Sequence, residues 1–259
     1  MDLGLKDKTA LVLGAGGGLG SAIARALAAE GARVALADID EAAAARAAQV
    51  LDADRCMALQ WDLSDLDAIP QRLSAIRARL GEIDILVNNT GGPAPSPAGG
   101  QSPVAWRESF DRMVLPVVSI TDAVLPAMRA RHWGRIITST SSGVIAPIPN
   151  LGLSNSLRAS LLGWSKTLAR EVAADGITAN IVVPGRIATA RIRYLDEERA
   201  RREGRPVADV SAQSTASIPV GRYGEPEEYA DLVTFLASRR AAYITGSVVR
   251  VDGGLIASV

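Results

Sequence analysis

Seven short apolar runs alternate along the chain with longer, alanine-rich amphipathic runs, and this alternation constrains the fold more than any other feature. The short runs are Thr9–Gly14, Arg33–Asp38, Cys56–Trp61, Ile83–Asn88, Arg135–Thr140, Ile177–Val183 and Ser247–Val251. Each is rich in β-branched or aliphatic residues and bounded by Gly, Asp, Asn or Pro, as strands are. Leu11-Val12-Leu13 and Ile181-Val182-Val183 are continuously apolar, which predicts strands buried on both faces. Helical patterns fill the gaps at Leu19–Glu30, Glu41–Leu51, Leu66–Leu80, Pro103–Ala130, Gly152–Ala174 and Pro226–Ala237. Ser64 with Asp67 three residues on reads as a capping box for the Leu66 helix, and Gly31 and Gly176 read as C-terminal caps. Such an alternation predicts an α/β fold: one doubly wound parallel sheet with helices on both faces, a single domain over residues 1–259.

Composition narrows the function. The 28 basic and 28 acidic residues cancel, so no bulk field draws the chain to nucleic acid or to an anionic membrane. Ten aromatic residues are too few for a base-stacking platform. One Cys and one His cannot build a zinc site of the usual kind or an intrachain disulfide, so no metal is expected and a reducing cytoplasm fits best. No uncharged apolar run approaches membrane-spanning length, and the start Met1-Asp2-Leu3-Gly4 lacks an apolar leader.

The first strand runs into Gly14-Ala15-Gly16-Gly17-Gly18-Leu19-Gly20 and then a helix. Glycines there allow a tight turn, a close backbone approach to a pyrophosphate and close helix–strand packing, while the helix N-terminus offers unpaired N–H groups to the anion. Asp38 closes the next strand, 18 residues beyond Gly20. Its carboxylate suits the two ribose hydroxyls of an adenosine and repels a 2′-phosphate. Neither Gly17 nor Ile39 supplies a cation, so the residues favour NAD over NADP. Ala190–Asp209 is densely charged and interrupts the alternation; it reads as a lid over the carboxyl ends of the strands, at about residues 190–220, or as a solvated helix.

Together these features resemble the short-chain dehydrogenase/reductase family from about Lys8 to Gly254. Leu13-Gly14-Ala15-Gly16-Gly17-Gly18-Leu19-Gly20 is similar to the family's TGxxxGxG, with Leu13 for Thr. Asp62 and Leu63 match the segment beside the adenine. Asn88-Asn89-Thr90-Gly91 matches NNAG, and Pro184-Gly185-Arg186-Ile187-Ala188-Thr189 matches PGxxxT, which flanks the nicotinamide. Tyr243-Ile244-Thr245-Gly246 and Val251-Asp252-Gly253-Gly254 match the C-terminal signature. The resemblance implies that Gly14, Gly18, Leu19, Gly20, Asp38, Asp62, Leu63, Asn89, Gly91, Arg158, Pro184, Gly185, Ile187 and Thr189 hold a nicotinamide dinucleotide. It also implies a carbonyl/alcohol substrate and a homo-oligomer, tetramer or dimer, formed through Pro103–Ala130 and Gly152–Ala174.

Three of the family's four catalytic positions depart from its pattern. Ser141 occupies the serine position, but 13 residues on the chain reads Ser154-Asn155-Ser156-Leu157-Arg158 in place of YxxxK, and Met113 stands where the family has Asn. A divergent subgroup similar to β-ketoacyl-acyl-carrier-protein reductases shares these features. Ser154 is a weaker and shorter acid than Tyr. Arg158 keeps the cation but cannot shuttle a proton. Loss of a positioned general acid costs about 10²–10⁴-fold in rate. Two functions therefore stand open: an NAD-dependent oxidoreductase using Ser141, Ser154 and Arg158, or a nicotinamide-binding scaffold or sensor. Ser154 reads equally as a polar helix start, Met113 and His132 as structural, and Arg186 as a solvated loop charge or a contact for an anionic substrate.

Overall fold

The computed structural model describes residues 1–259. Seven strands, β1 (Thr9–Leu13), β2 (Arg33–Asp38), β3 (Cys56–Gln60), β4 (Ile85–Asn88), β5 (Gly134–Ser139), β6 (Ile177–Pro184) and β7 (Val248–Val251), form one sheet in the order β3-β2-β1-β4-β5-β6-β7. Every adjacent pair is parallel. The helices are α1 (Gly18–Ala29), α2 (Glu41–Ala48), α3 (Ile69–Leu80), α4 (Pro103–Met113), α5 (Leu115–Ala130), α6 (Gly152–Val172), α7 (Ala190–Glu203), α8 (Val207–Ala216) and α9 (Pro226–Ala237).

The continuously apolar strands are buried on both faces, as their sequences predict. Leu11 and Leu13 point into a cluster with Leu73 and Ile76 of α3, Ile120 and Val124 of α5, and Leu168 of α6. Between them, Val12 faces the opposite layer, where Ile23 and Leu27 of α1 meet Tyr229 and Val233 of α9. Residue alternation along a strand thus assigns each neighbour to a different helical layer.

Two local expectations are corrected. The Leu66 helix has no capping box on Ser64: Asp65 Oδ1 accepts from Ala68 N, while the Ser64 hydroxyl donates to Asp62 Oδ1 at 2.7 Å. A 3₁₀ turn spans Leu66–Ala68, and α3 begins at Ile69 with Pro70 in its first turn, where a missing N–H costs nothing. The single helix expected over Pro103–Ala130 is broken at Val114 (φ −112°). Pro116 offers no N–H to the carbonyl of Arg112 and its ring crowds that carbonyl, so the turn opens. Although segment 103–130 is long and apolar enough by composition to cross a membrane, its two helices bury Met113, Val117, Ile120, Val124 and Met128 within the protein.

Burial decides which residues carry the fold. Leu11→Ala, at a fully buried position, is expected to lower the unfolding free energy by about 2–5 kcal/mol, and Val50→Ala, 70% exposed, to change it by less than about 0.5 kcal/mol. Urea unfolding followed by circular dichroism measures both.

Candidate active site

Because the sheet is parallel, all seven strands end on one edge, and the loops that leave this edge enclose a cleft of about 1120 Å³. Gly14, Gly17, Gly18, Leu19, Asp38, Asp62, Leu63, Asn89, Gly91, Ser141, Ser154, Arg158, Pro184, Gly185, Ile187 and Thr189 all line it. Gly20 lies just beneath the lining, buried in the glycine turn.

The turn is held by backbone geometry. Gly14 adopts φ +60°, and a Cβ on Gly20 would lie 2.1 Å from the Gly14 carbonyl oxygen, so only glycine lets α1 close on β1. Asn89 Nδ2 donates to the carbonyls of Leu13 and Gly14, both at 3.3 Å, tying the end of β4 to the turn. No side chain caps α1, and its first turn holds no acid. Its leading N–H groups therefore face the cleft, where an anion is stabilised by the helix dipole. A Cβ on Gly18 would lie 2.8 Å from Thr189 Cγ2, which brings the start of α7 against the same turn.

At the far end of the cleft, Asp38 Oδ2 accepts from Gly16 N at 2.8 Å and Oδ1 from Asp40 N at 3.0 Å. The carboxylate is fixed at the carboxyl end of β2, and no Lys or Arg among the lining residues sits beside it at Gly17 or Ile39. Asp62 accepts from the N–H and hydroxyl of Ser64, and these bonds hold its carboxyl below the usual range. Leu63 packs half-buried beside it. The residues present fit a dinucleotide: an uncapped helix N-terminus on a turn too tight for side chains, and a carboxylate one strand away.

In the middle of the cleft, Ser141 begins a 3₁₀ turn over Ser142–Val144, and its Oγ accepts from Gly143 N at 3.2 Å. That bond leaves the hydroxyl free to donate. Ser154 lies in the first turn of α6, buried yet lining the same space. Met113 is 2% exposed and packs with Val117, Leu157, Leu161 and Ile256, which makes it core.

Arg158 reaches from α6 to the ends of two strands. Its Nη2 donates to the carbonyls of Thr90 (2.8 Å) and Gly91 (2.9 Å), and Nη1 to that of Ser139 (3.5 Å). No carboxylate pairs with it. Burial first, then the nearby Arg191 cation, pull its pKa down to about 10, so it remains charged at neutral pH. Its expected contact with a ribose has to share the guanidinium with these carbonyls.

Arg186 lines the cleft, and its charge is met by a carboxylate of the chain. Its Nη1 donates to Asp196 Oδ1 at 2.9 Å, and Asp196, almost fully buried, also accepts from Ser211 and from Tyr223. This network pins α7 and α8 to the loop after β6. The charged segment is therefore two helices, of which α7 lines the cleft and α8 packs on α7; Arg191, not singled out by its sequence context, is a cleft-lining cation whose Nη2 donates to the carbonyl of Pro93 at 2.7 Å. His132 is structural, a left-handed turn residue (φ +49°) at the end of α5 whose carbonyl abuts Gly176.

The chain has clear relatives. A family model described as enoyl-(acyl carrier protein) reductase matches residues 14–256. The 3-oxoacyl-acyl-carrier-protein reductase FabG of Escherichia coli (strain K12) is 38% identical over 255 residues, covering 98% of this chain and 99% of that protein. Among solved structures, L-sorbose reductase from Gluconobacter frateurii, complexed with NADPH and L-sorbose, superposes with a TM-score of 0.93 at 30% identity over the whole of both chains. YwfH, an NADPH-dependent reductase involved in bacilysin biosynthesis, does so with a TM-score of 0.86 at 28% identity, covering 97% of this chain and 99% of that one.

Gly20→Ala is expected to weaken binding of reduced nicotinamide dinucleotides at least about tenfold, because the added Cβ forces the turn away from the anion. Titration of cofactor fluorescence measures it. With the motifs in order, the parallel sheet and these relatives, the chain belongs to the short-chain dehydrogenase/reductase family and is an oxidoreductase.

Proposed function

We propose that the protein is an NAD-dependent oxidoreductase that interconverts a carbonyl and an alcohol, with a water in place of the family's tyrosine hydroxyl. The chemistry is supported by the Ser141 hydroxyl, which lines the cleft with Ser154 and whose oxygen accepts from Gly143 N–H, so that it is free to donate. When bound, the nicotinamide supplies the hydride to the carbonyl carbon. The protein's residues act on the carbonyl oxygen. Ser141 donates a hydrogen bond to it, and Ser154, whose own hydroxyl is too short to reach, orders a water that relays to it a proton drawn from the solvent in the cleft mouth. The uncapped N-terminus of α6 and the buried Arg158 cation add positive potential as negative charge develops. By fastening the carbonyls of Thr90, Gly91 and Ser139, Arg158 also fixes the ends of β4 and β5 that form the floor of the site.

Asp38 supports NAD, although the two solved neighbours are described with NADPH. Its carboxylate is locked toward the glycine turn by Gly16 N–H, where it would meet a 2′-phosphate at close range without a compensating cation. The relatives' carbonyl and acyl-carrier-protein substrates make a carbonyl compound the natural class here. A homo-oligomer with two-fold symmetry is supported by apolar residues left at the surface of α4, Val104 (57% exposed) and Phe110 (40%), beside the half-buried Leu162 and Trp164 of α6. The single unpaired Cys56 suits a reducing cytoplasm.

NADH is expected to bind at least about tenfold tighter than NADPH, and Asp38→Ala to erase the difference. Calorimetric titration decides it, and equal or tighter NADPH binding to the unaltered protein contradicts the assignment. For the chemistry, slow NADH turnover on a carbonyl panel is expected. Ser141→Ala should depress it by about 10²-fold or more, and Ser154→Tyr with Arg158→Lys should raise it and alter its pH profile. NADH binding without turnover on any substrate, unaffected by Ser141→Ala, would instead leave a nucleotide-binding scaffold or sensor.

A further inference from the structure

Six arginines line the cleft: Arg112, Arg158, Arg186, Arg191, Arg199 and Arg202. Arg186 is neutralised by Asp196, and Arg199 and Arg202 by Glu203. Arg112 lies close enough to Asp62 to stabilise its carboxylate. Arg158 and Arg191 remain, and neither forms an ion pair.

These two cations converge on one glycine. A Cβ on Gly92 would lie 3.1 Å from Arg191 Nη2 and 3.7 Å from Arg158 Nη2. Arg158 is 7% exposed, and Arg191, held against the Pro93 carbonyl, is half-buried. Two guanidiniums confined at this distance repel each other, and each loses water that would otherwise screen it. Backbone carbonyls satisfy only part of their donor sets: Arg158 keeps Nε–H and an Nη1–H, and Arg191 all but one of its N–H groups. Arg191, stacked over the Tyr194 ring at 5.5 Å, keeps a free pair of N–H groups that a planar carboxylate matches, whereas the two N–H groups left on Arg158 lie on opposite sides of its guanidinium, so Arg158 adds charge and no fork.

The geometry points to a carboxylate-binding subsite beside Gly92 in which Arg191 supplies the hydrogen bonds and the buried Arg158 cation adds its charge, so that the substrate is a carbonyl compound bearing a carboxylate, of the keto-acid class. This rests on the reading that the cleft binds a nicotinamide cofactor and a carbonyl. The rival source of the same chemistry is the cofactor's pyrophosphate. The uncapped N-terminus of α1, at Gly17, Gly18 and Leu19 beyond β1, already provides for that group, whereas the arginine pair lies beyond β4.

Calorimetry on the protein saturated with NAD⁺ tests this without turnover, because neither a keto acid nor its ester can be reduced by the oxidised cofactor. Acetoacetate is expected to bind at least about tenfold tighter than methyl acetoacetate. Arg191→Gln should remove that difference, Arg191→Lys should keep part of it, and neither should change NAD⁺ affinity more than about twofold. Equal binding of acid and ester by the unaltered protein, or no binding of either, overturns the proposal. A loss of NAD⁺ affinity in Arg191→Gln with acetoacetate discrimination intact assigns the pair to the pyrophosphate and overturns it too. Failure of hydride transfer alone would leave these binding results standing, so the two readings fail separately.

Discussion

The sheet reverses its direction of growth between β1 and β4, and the rest of the molecule depends on that reversal. The chain first builds outward from β1 through β2 to β3, then crosses back and builds the other way from β4 to β7. Loops from β1 and β4 consequently part at the carboxyl edge and leave a crevice between them. Asn89 bridges the crevice at its base by donating to the carbonyls of Leu13 and Gly14. The glycine turn after β1, Asp38 at the end of β2, Ser141 after β5 and Thr189 after β6 all sit on this edge and line the cleft.

The two ends of the crevice differ in charge. Toward β2 and β3 it carries Asp38 and Asp62, each fixed by hydrogen bonds from neighbouring backbone. Toward β4 and α7 it carries Arg158 and Arg191 with no carboxylate beside them. A ligand with hydroxyls at one end and negative charge at the other would lie in a fixed direction along it. Ser154 and Arg158, which the resemblance sets at the family's Tyr and Lys positions, fall at the cationic end. There Arg158 is a permanent charge that ties together the chain at the ends of β4 and β5.

Features set by near neighbours were legible in the sequence. The strand–glycine–helix succession, Asp38 after β2 and the two-faced burial of Leu11-Val12-Leu13 each follow from spacing within one or two elements. Segment 103–130 reads as one helix because its apolar periodicity is unbroken. Pro116, visible in the same stretch, opens the turn at Val114. What sequence could not disclose were pairings across the fold. Arg186 meets Asp196 only once α7 folds back over the β6 loop. Arg158 finds the carbonyls of Thr90 and Gly91, 68 and 67 residues away, and Arg191 finds Pro93 across 98 residues. The Arg191–Arg158 convergence on Gly92 has no local signature at all.

The claim on which the account turns is that this cleft still transfers hydride without the tyrosine. Incubating the protein with NADH deuterated at the transferred position and a panel of keto acids, then analysing the products by mass spectrometry, tests it most directly. The account predicts one deuterium at the carbinol carbon of at least one product, formed only in the presence of protein. Complete absence of label from every product, with the deuterated NADH demonstrably bound, would contradict it.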